Sequence, residues 1–318
     1  MKVLIFKQSL KLVERDMPIP SKGEALIRIR MAGICNTDLE ILRGYMQFSG
    51  VPGHEFVGDV VECEDSSWIG KRVVGEINLG CGHCAQCNSG IARHCPARQV
   101  LGILDKDGVF AEFITLPVKN LHIVPDLLTD EEAVFIEPMA AACEILEQIK
   151  ISDGSTVAII GDGKLGQLIA GVIRLTGCDI TVIGKHPNKL QRVAKLGINT
   201  CLRDNIPDRS YDVVIEASGS PSGIHQSLKI LKPRGILIIK STTQEDIQIN
   251  LAPVVINEIQ IIGSRCGRFE PAIELLKNRS INVMPLITAT FLLDDWKNAF
   301  VYAQESESMK ILLQMVNI

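Results

Sequence analysis

The sequence predicts an α/β protein of two domains, one rich in short β-strands and one built as a doubly wound parallel sheet. Three observations carry that prediction. At 318 residues the chain is longer than one ordinary compact core. Its first part reads as brief β-like runs punctuated by Gly, Pro and Asn. From Thr129 onward buried-strand runs alternate with helical periodicity, a pattern that builds a parallel sheet covered on both faces.

Taken in order, VLIF, ALIRIRM, FVGDVVE and RVVGEI supply strands of an irregular, mostly antiparallel domain expected over residues 1–125. EEAVFIEPMAAACEILEQIK then shows helical spacing, and TVAII, DITVI, YDVVIEA, GILIIK and EIQIIGS come next as strands of a second domain expected over 126–280. After the helix around AIELLKN, the segment PLITATFLLDDWKNAFVYA reads as a strand and helix able to return to the first domain. Residues 281–318 are therefore expected to complete it.

Composition narrows the function classes. Charged residues at 22% and hydrophobic ones at 46% describe a soluble globular chain. The net charge is −4 and bases are scattered among acids, so neither nucleic acid nor an anionic membrane is an expected partner. Lys7 interrupts the apolar N-terminus, and no run is long enough to span a bilayer. Ten cysteines without an export signal suit a reducing compartment, and the expected location is the cytoplasm.

Cys81, Cys84, Cys87 and Cys95 stand in CGHCAQCNSGIARHC, a C-x2-C-x2-C-x7-C run in a Gly- and Asn-rich loop. Such a loop can wrap a tetrahedral ion at ~2.3 Å per sulfur, and a closed shell of four thiolates leaves no position for substrate. The implied role is structural. Pro96 after Cys95 also suits an iron–sulfur cluster, which the seven-residue gap fits poorly. Four unrelated thiols at this density are the blander alternative.

Upstream lie Cys35, Thr37 and Asp38 in GICNTD and His54 and Glu55 in GHEFVG, with Glu137 further on. One thiolate, one imidazole and one carboxylate can make a zinc site whose fourth position stays open for water or a substrate oxygen. Singly, a cysteine or histidine of this kind is more often a core residue.

TVAIIGDGKLGQLIAGVIRL places Gly161, Gly163 and Gly166 after a strand and at the mouth of a helix, with Asp162, Lys164 and Leu165 between them as further expected cofactor-binding residues. The first glycine permits the turn, the second admits a pyrophosphate to the backbone, and the third lets helix and strand approach. In the NAD fingerprint an acid closes the next strand; here Gly184 ends DITVIG, and Lys185, His186 and Lys189 come after it. That exchange predicts NADP(H) over NAD(H), since a 2′-phosphate gains cations and escapes a like charge. The alternative is a solvated basic turn.

In this order, GICNTD, GHEFVG, the cysteine loop and the glycine loop resemble the zinc-containing medium-chain dehydrogenase/reductase superfamily, which includes alcohol, sorbitol, glucose and threonine dehydrogenases. The resemblance spans nearly the whole chain and implies a GroES-like catalytic domain joined to a Rossmann domain. It implies Cys35 and His54 as catalytic zinc ligands, Glu137 as the third ligand with Glu55 exchanging for it, Asp38 as the acid that fixes the ligating histidine, and Thr37 as a proton relay. It further places Ser218 and Gly219, and Ser264 and Arg265, beside the nicotinamide.

The resemblance implies an oxidoreductase moving hydride between NAD(P) and an alcohol, polyol or sugar, with two zinc ions per subunit and a homodimeric or homotetrameric assembly. The chain departs from the family in being short, in lacking a histidine near Glu40 to finish the relay, and in lacking the Arg-Tyr pair of sorbitol dehydrogenases. Two rivals are a non-catalytic NADP(H)-binding sensor or structural protein on the same scaffold, and a zinc-independent double-bond reductase.

Overall fold

A computed structural model describes residues 1–206, 210–242 and 247–315. The chain divides into two compact units, Met1–Glu137 with Phe269–Ile318, and Pro138–Arg268. Residues 126–137 and 269–280, which the sequence pattern assigns to the second domain, thus go with the first. The reason is a set of ties the pattern cannot display: Asp130 pairs with Arg30 at 2.6 Å and Arg72 at 3.0 Å, Arg279 pairs with Glu132, and the Phe269 ring lies 5.4 Å from His122.

In the first unit a seven-stranded mixed sheet runs in the order Leu121–Ile123, Arg72–Gly75, Glu55–Cys63, Glu24–Ile34, Lys310–Gln314, Ile287–Leu292, with Phe113–Pro117 also paired to Glu24–Ile34. Alternation in EALIRIRMAGI explains the central strand. Its apolar residues go to the core, while Arg28 and Arg30 share the other face and both reach Asp59 on the neighbouring strand. The last residues of that strand pair with Ile311–Gln314, which brings the C-terminal strand alongside Cys35.

The second unit holds six parallel strands: β1 Thr156–Ile160, β2 Asp179–Gly184, β3 Asn199–Leu202, β4 Tyr211–Glu216, β5 Leu231–Ile239 and β6 Gln260–Gly263. They run in the order β3-β2-β1-β4-β5-β6. β1 and β4 are near-continuous apolar runs because helices cover both faces of the sheet. The order reverses between β1 and β4, and in such sheets a ligand crevice opens beyond the strands' carboxyl ends at that point. In the first unit, Thr129 caps the helix Asp130–Val134 through a reciprocal box with Glu132. Among the described residues no helix is long and apolar enough to cross a membrane.

Candidate metal centres and dinucleotide pocket

Cys35 follows the central strand directly and caps the short helix Asn36–Leu42; His54 precedes the adjacent strand and Glu55 opens it. The pairing of Gly33 with Glu55 sets these two segments side by side. As a result, ligand atoms of Cys35, His54 and Glu55 all lie within 4.8 Å of one another. Asp38 ties the cluster together. Its carboxylate accepts the Cys35 N–H at 2.7 Å and the Gly53 N–H at 3.2 Å, and stands 3.4 Å from His54 Nδ1, a charge contact without hydrogen-bond alignment. The Thr37 hydroxyl lies 3.8 Å from Cys35 Sγ.

The electrostatics are those of a cation site. Burial works against a charged His54, yet the Asp38 carboxylate and the Cys35 sulfur hold it well above the usual imidazole range. Lys310 is fully buried and ion-paired with Glu55, and it also feels Cys35 and Glu137; their combined pull outweighs its burial and holds it above the usual lysine value. A single lysine thus faces two carboxylates and a thiol. Glu55 Oε1 is buried without a hydrogen-bond partner, a costly state that a bound divalent ion would relieve. Glu137, expected as third ligand, stands outside the group of mutually close donors; Glu55 stands inside it. Lys310 itself was not foreseen, because it lies 255 residues from its partner in sequence and carries no local signal.

The four cysteines of the loop also converge, with ligand atoms within 4.8 Å of each other. Sulfurs 3.7 Å apart in Cys84–Cys95 and 4.0 Å apart in Cys81–Cys87 are too distant for disulfides, and none of the ten cysteines, all of them among the described residues, is in a disulfide. Backbone N–H groups of Cys81, Gly82 and Cys87 donate to Cys95, Cys87 and Cys84 at 3.4, 3.3 and 3.5 Å. Such donors stabilise thiolates. Backbone N–H groups at His83 and Cys84 bring Cys81 down to about 6, so it ionises at neutral pH.

In the second unit a cavity of about 230 Å³ opens at the ends of β1, β2 and β4. Gly161, Asp162, Gly163, Gly184, Lys185, His186, Lys189 and Ser218 line it, joined by Arg203, which sequence reading missed because a lone Arg after a weak strand gives no signal. Gly161 adopts φ +128°, and a Cβ there would come 2.6 Å from the Ala217 carbonyl oxygen; a Cβ at Gly166 would strike the Gly161 carbonyl. At Gly163, by contrast, a Cβ would meet nothing within 4 Å. Protein packing gives no reason for a glycine there, whereas close approach of a pyrophosphate does. Gln167, also unforeseen, donates to the Asp162 and Lys189 carbonyls at 3.0 and 3.2 Å and fixes the loop.

Other expected residues sit elsewhere. Lys164, Leu165, Gly166, Gly219, Ser264 and Arg265 do not line the cavity. The Ser264 hydroxyl and the Arg265 carbonyl accept from the buried Lys240 ammonium at 3.1 and 2.8 Å, and Gly219 donates its N–H to Ser241 at 2.8 Å. Among the aromatic side chains of the first unit, buried Phe48 packs with Phe6 and Ile41, part-buried Tyr45 packs against that cluster, and Phe110 meets Phe300 edge-on at 5.9 Å.

The reading that no acid stands at the end of β2 needs correction. Asp162, buried in the glycine loop, lays its carboxylate across Gly184. It accepts the Lys185 and His186 N–H groups at 2.8 and 2.7 Å and lies 3.0 Å from His186 Nδ1. A side chain at Gly184 would collide with it.

Comparison with known proteins agrees with this geometry. Residues 21–126 match the alcohol dehydrogenase GroES-like domain and residues 165–278 the zinc-binding dehydrogenase domain. A sorbitol dehydrogenase of Halalkalibacterium halodurans is 27% identical over 96% of this chain and 95% of its own. The alcohol dehydrogenase RspB of Escherichia coli, solved with NADH, superposes with a TM-score of 0.92 at 26% identity over 99% of each chain. A zinc-binding dehydrogenase of Sinorhizobium meliloti, bound to NADP, gives 0.89 at 26% identity over 99% of each chain. With its two domain types, its donor clusters and its glycine loop in the family's order, the chain belongs to the zinc-dependent medium-chain dehydrogenase/reductase superfamily.

Proposed function

We propose that the chain is a zinc-dependent dehydrogenase that interconverts a secondary alcohol, of polyol or sugar type, and its carbonyl, using NAD(P). The observation that carries this reading is the open three-donor set of Cys35, His54 and Glu55 in one unit, combined with a glycine-loop cavity in the other. A sensor that had lost catalysis would have no chemical need for such a donor set.

Cys35, His54 and Glu55 would hold the catalytic ion, with Glu137 able to exchange for Glu55, and Cys81, Cys84, Cys87 and Cys95 would hold a second, structural one. When bound, zinc supplies a Lewis acid and the dinucleotide a hydride acceptor. Thr37 Oγ1, near Cys35, carries the alcohol proton outward. Asp38 fixes the Cys35 and His54 segments against each other, and Lys310 restrains one oxygen of Glu55.

NADP(H) is favoured over NAD(H), because Lys185, His186, Lys189 and Arg203 border the adenosine end of the cavity. The protein works in the cytoplasm, which suits ten reduced thiols. It forms a homodimer or homotetramer through β6, an edge strand preceded in the chain by exposed Val255 and Ile256. A screen of polyols, sugars, secondary alcohols and hydroxy amino acids with each cofactor, read by nicotinamide absorbance, tests the activity. Turnover of one class supports the reading; none, with zinc and dinucleotide both bound, refutes it.

A further inference from the structure

The cavity at the ends of β1 and β2 contains a nest of two backbone N–H groups, those of Lys185 and His186, flanked by the Lys185 and His186 side chains and by Arg203. Consecutive N–H groups of this kind bind anions. The anion already in place belongs to the protein. Asp162 Oδ2 accepts both N–H groups, and Oδ1 lies 3.0 Å from the His186 ring nitrogen. Its residue is only 6% exposed. The carboxylate rests over Gly184, where a strand-end acid would begin its own side chain, so Gly184 is a glycine because Asp162 needs the room.

We infer that Asp162 is the specificity-determining residue of the dinucleotide site: an acid supplied from the glycine loop rather than from the end of β2, which competes with an adenosine 2′-phosphate for the Lys185–His186 nest. The inference rests on the reading of this cavity as the adenosine end of an NAD(P) site. The surrounding cations draw the phosphate in, and Asp162 limits how far the preference goes. A ribose with free hydroxyls carries no charge there and is nearly indifferent to the carboxylate's charge. The chain therefore accepts both dinucleotides, and the charge at position 162 sets their ratio.

Calorimetric titration of the full-length, zinc-loaded protein with NADPH, NADH and 2′-AMP tests this without turnover. Asp162→Asn keeps an acceptor for both N–H groups and removes the charge. It is expected to tighten NADPH and 2′-AMP on the order of tenfold, as removing one unit charge a few ångströms away would, and to move NADH less than about twofold. Asp162→Ser, smaller and also neutral, is expected to shift NADPH in the same direction should the amide pack poorly. Arg203→Ala is expected to weaken NADPH and 2′-AMP and leave NADH unchanged. Were Asp162 merely a brace for the turn, both neutral variants would weaken NADPH and NADH alike, and that result overturns the inference. A wild-type protein that binds NADH more tightly than NADPH would refute the stated preference for NADP(H), yet a selective gain for NADPH in Asp162→Asn would still support the role of Asp162. Unchanged binding of every ligand in all three variants, with the fold intact, would refute the cavity assignment itself.

Discussion

The Lys310 ammonium and the Glu55 carboxylate form an ion pair in which neither side chain is exposed to solvent. The lysine also rides 5.5 Å from the centre of the Phe135 ring, on a strand paired to the one that ends at Ile34, next to Cys35. Breaking a buried pair from one side leaves an uncompensated charge, a cost of about 3–5 kcal/mol. Lys310→Met should therefore lower the stability of the metal-free protein by that order in chemical denaturation. The same change leaves Glu55 and its neighbours more negative, so zinc should resist a chelator longer than in the wild type. Unchanged apo stability would show that the pair does not form.

The cysteine loop should titrate early. Cys81 lies at about 6, below the ordinary thiol value of 9.0 from which it starts. A group whose folded value is depressed contributes stability that is present above the unfolded value and is lost as pH falls through the folded one. Without metal, the stability contributed by the Cys81 thiolate should be lost as pH falls through about 6; bound zinc competes with protons for the same sulfurs, so the structural metal should be kept through neutral pH and released only below about 6. Zinc release monitored with a colorimetric chelator reads this directly. Cys84→Ser should release one ion and lower the melting temperature; unchanged metal content would mean that the loop holds none.

Gly184 is where the structure most changes a prediction from sequence. From the fingerprint alone, Gly184→Asp would restore an NAD-binding acid. Because the Asp162 side chain already lies over this position, Gly184→Ala should overpack the site, costing about 1–3 kcal/mol, and Gly184→Asp should add repulsion between two carboxylates. Both variants should bind NADH and NADPH more weakly than wild type. A stable Gly184→Asp protein with improved NADH binding would contradict the placement of Asp162.

Among the described residues β6 is an edge strand, and it comes shortly after helix Ala252–Ile256, where Val255 is 75% and Ile256 78% exposed. Exposed apolar groups next to a free edge mark an association surface. Light scattering should give a dimer or tetramer, and Val255→Asp with Ile256→Asp should shift it toward monomer while the circular dichroism spectrum is kept. A wild-type monomer at micromolar concentration would refute this interface.

What was legible in the sequence was what lies close together in it. The four cysteines sit within fifteen residues, Gly161, Gly163 and Gly166 cluster where one strand passes into one helix, and His54 and Glu55 are adjacent, so spacing alone pointed to them as candidates. The order of the motifs then identified the family and its two domain types. Contacts that cross the chain were hidden. Lys310 reaches Glu55 across 255 positions, and Arg203 joins the cavity from the far side of β2. Glu55 rather than Glu137 joins Cys35 and His54 because the register Gly33–Glu55 places it there, and register is not written in composition. The sequence names Asp162 only as one cofactor-binding residue of the glycine loop among several. Only the direction of its side chain, toward Gly184, showed that it mattered.

Cys35, His54 and Glu55 are proposed to hold a zinc ion on which alcohol oxidation depends. The direct measurement is metal content and turnover together, by elemental analysis and nicotinamide absorbance, for the wild type and Cys35→Ser on whichever substrate class the screen identifies. Two zinc ions per subunit in the wild type, and one in a folded Cys35→Ser protein whose turnover is lost while NADPH still binds, is the predicted result. A Cys35→Ser protein that keeps both its turnover and its full complement of zinc would contradict it.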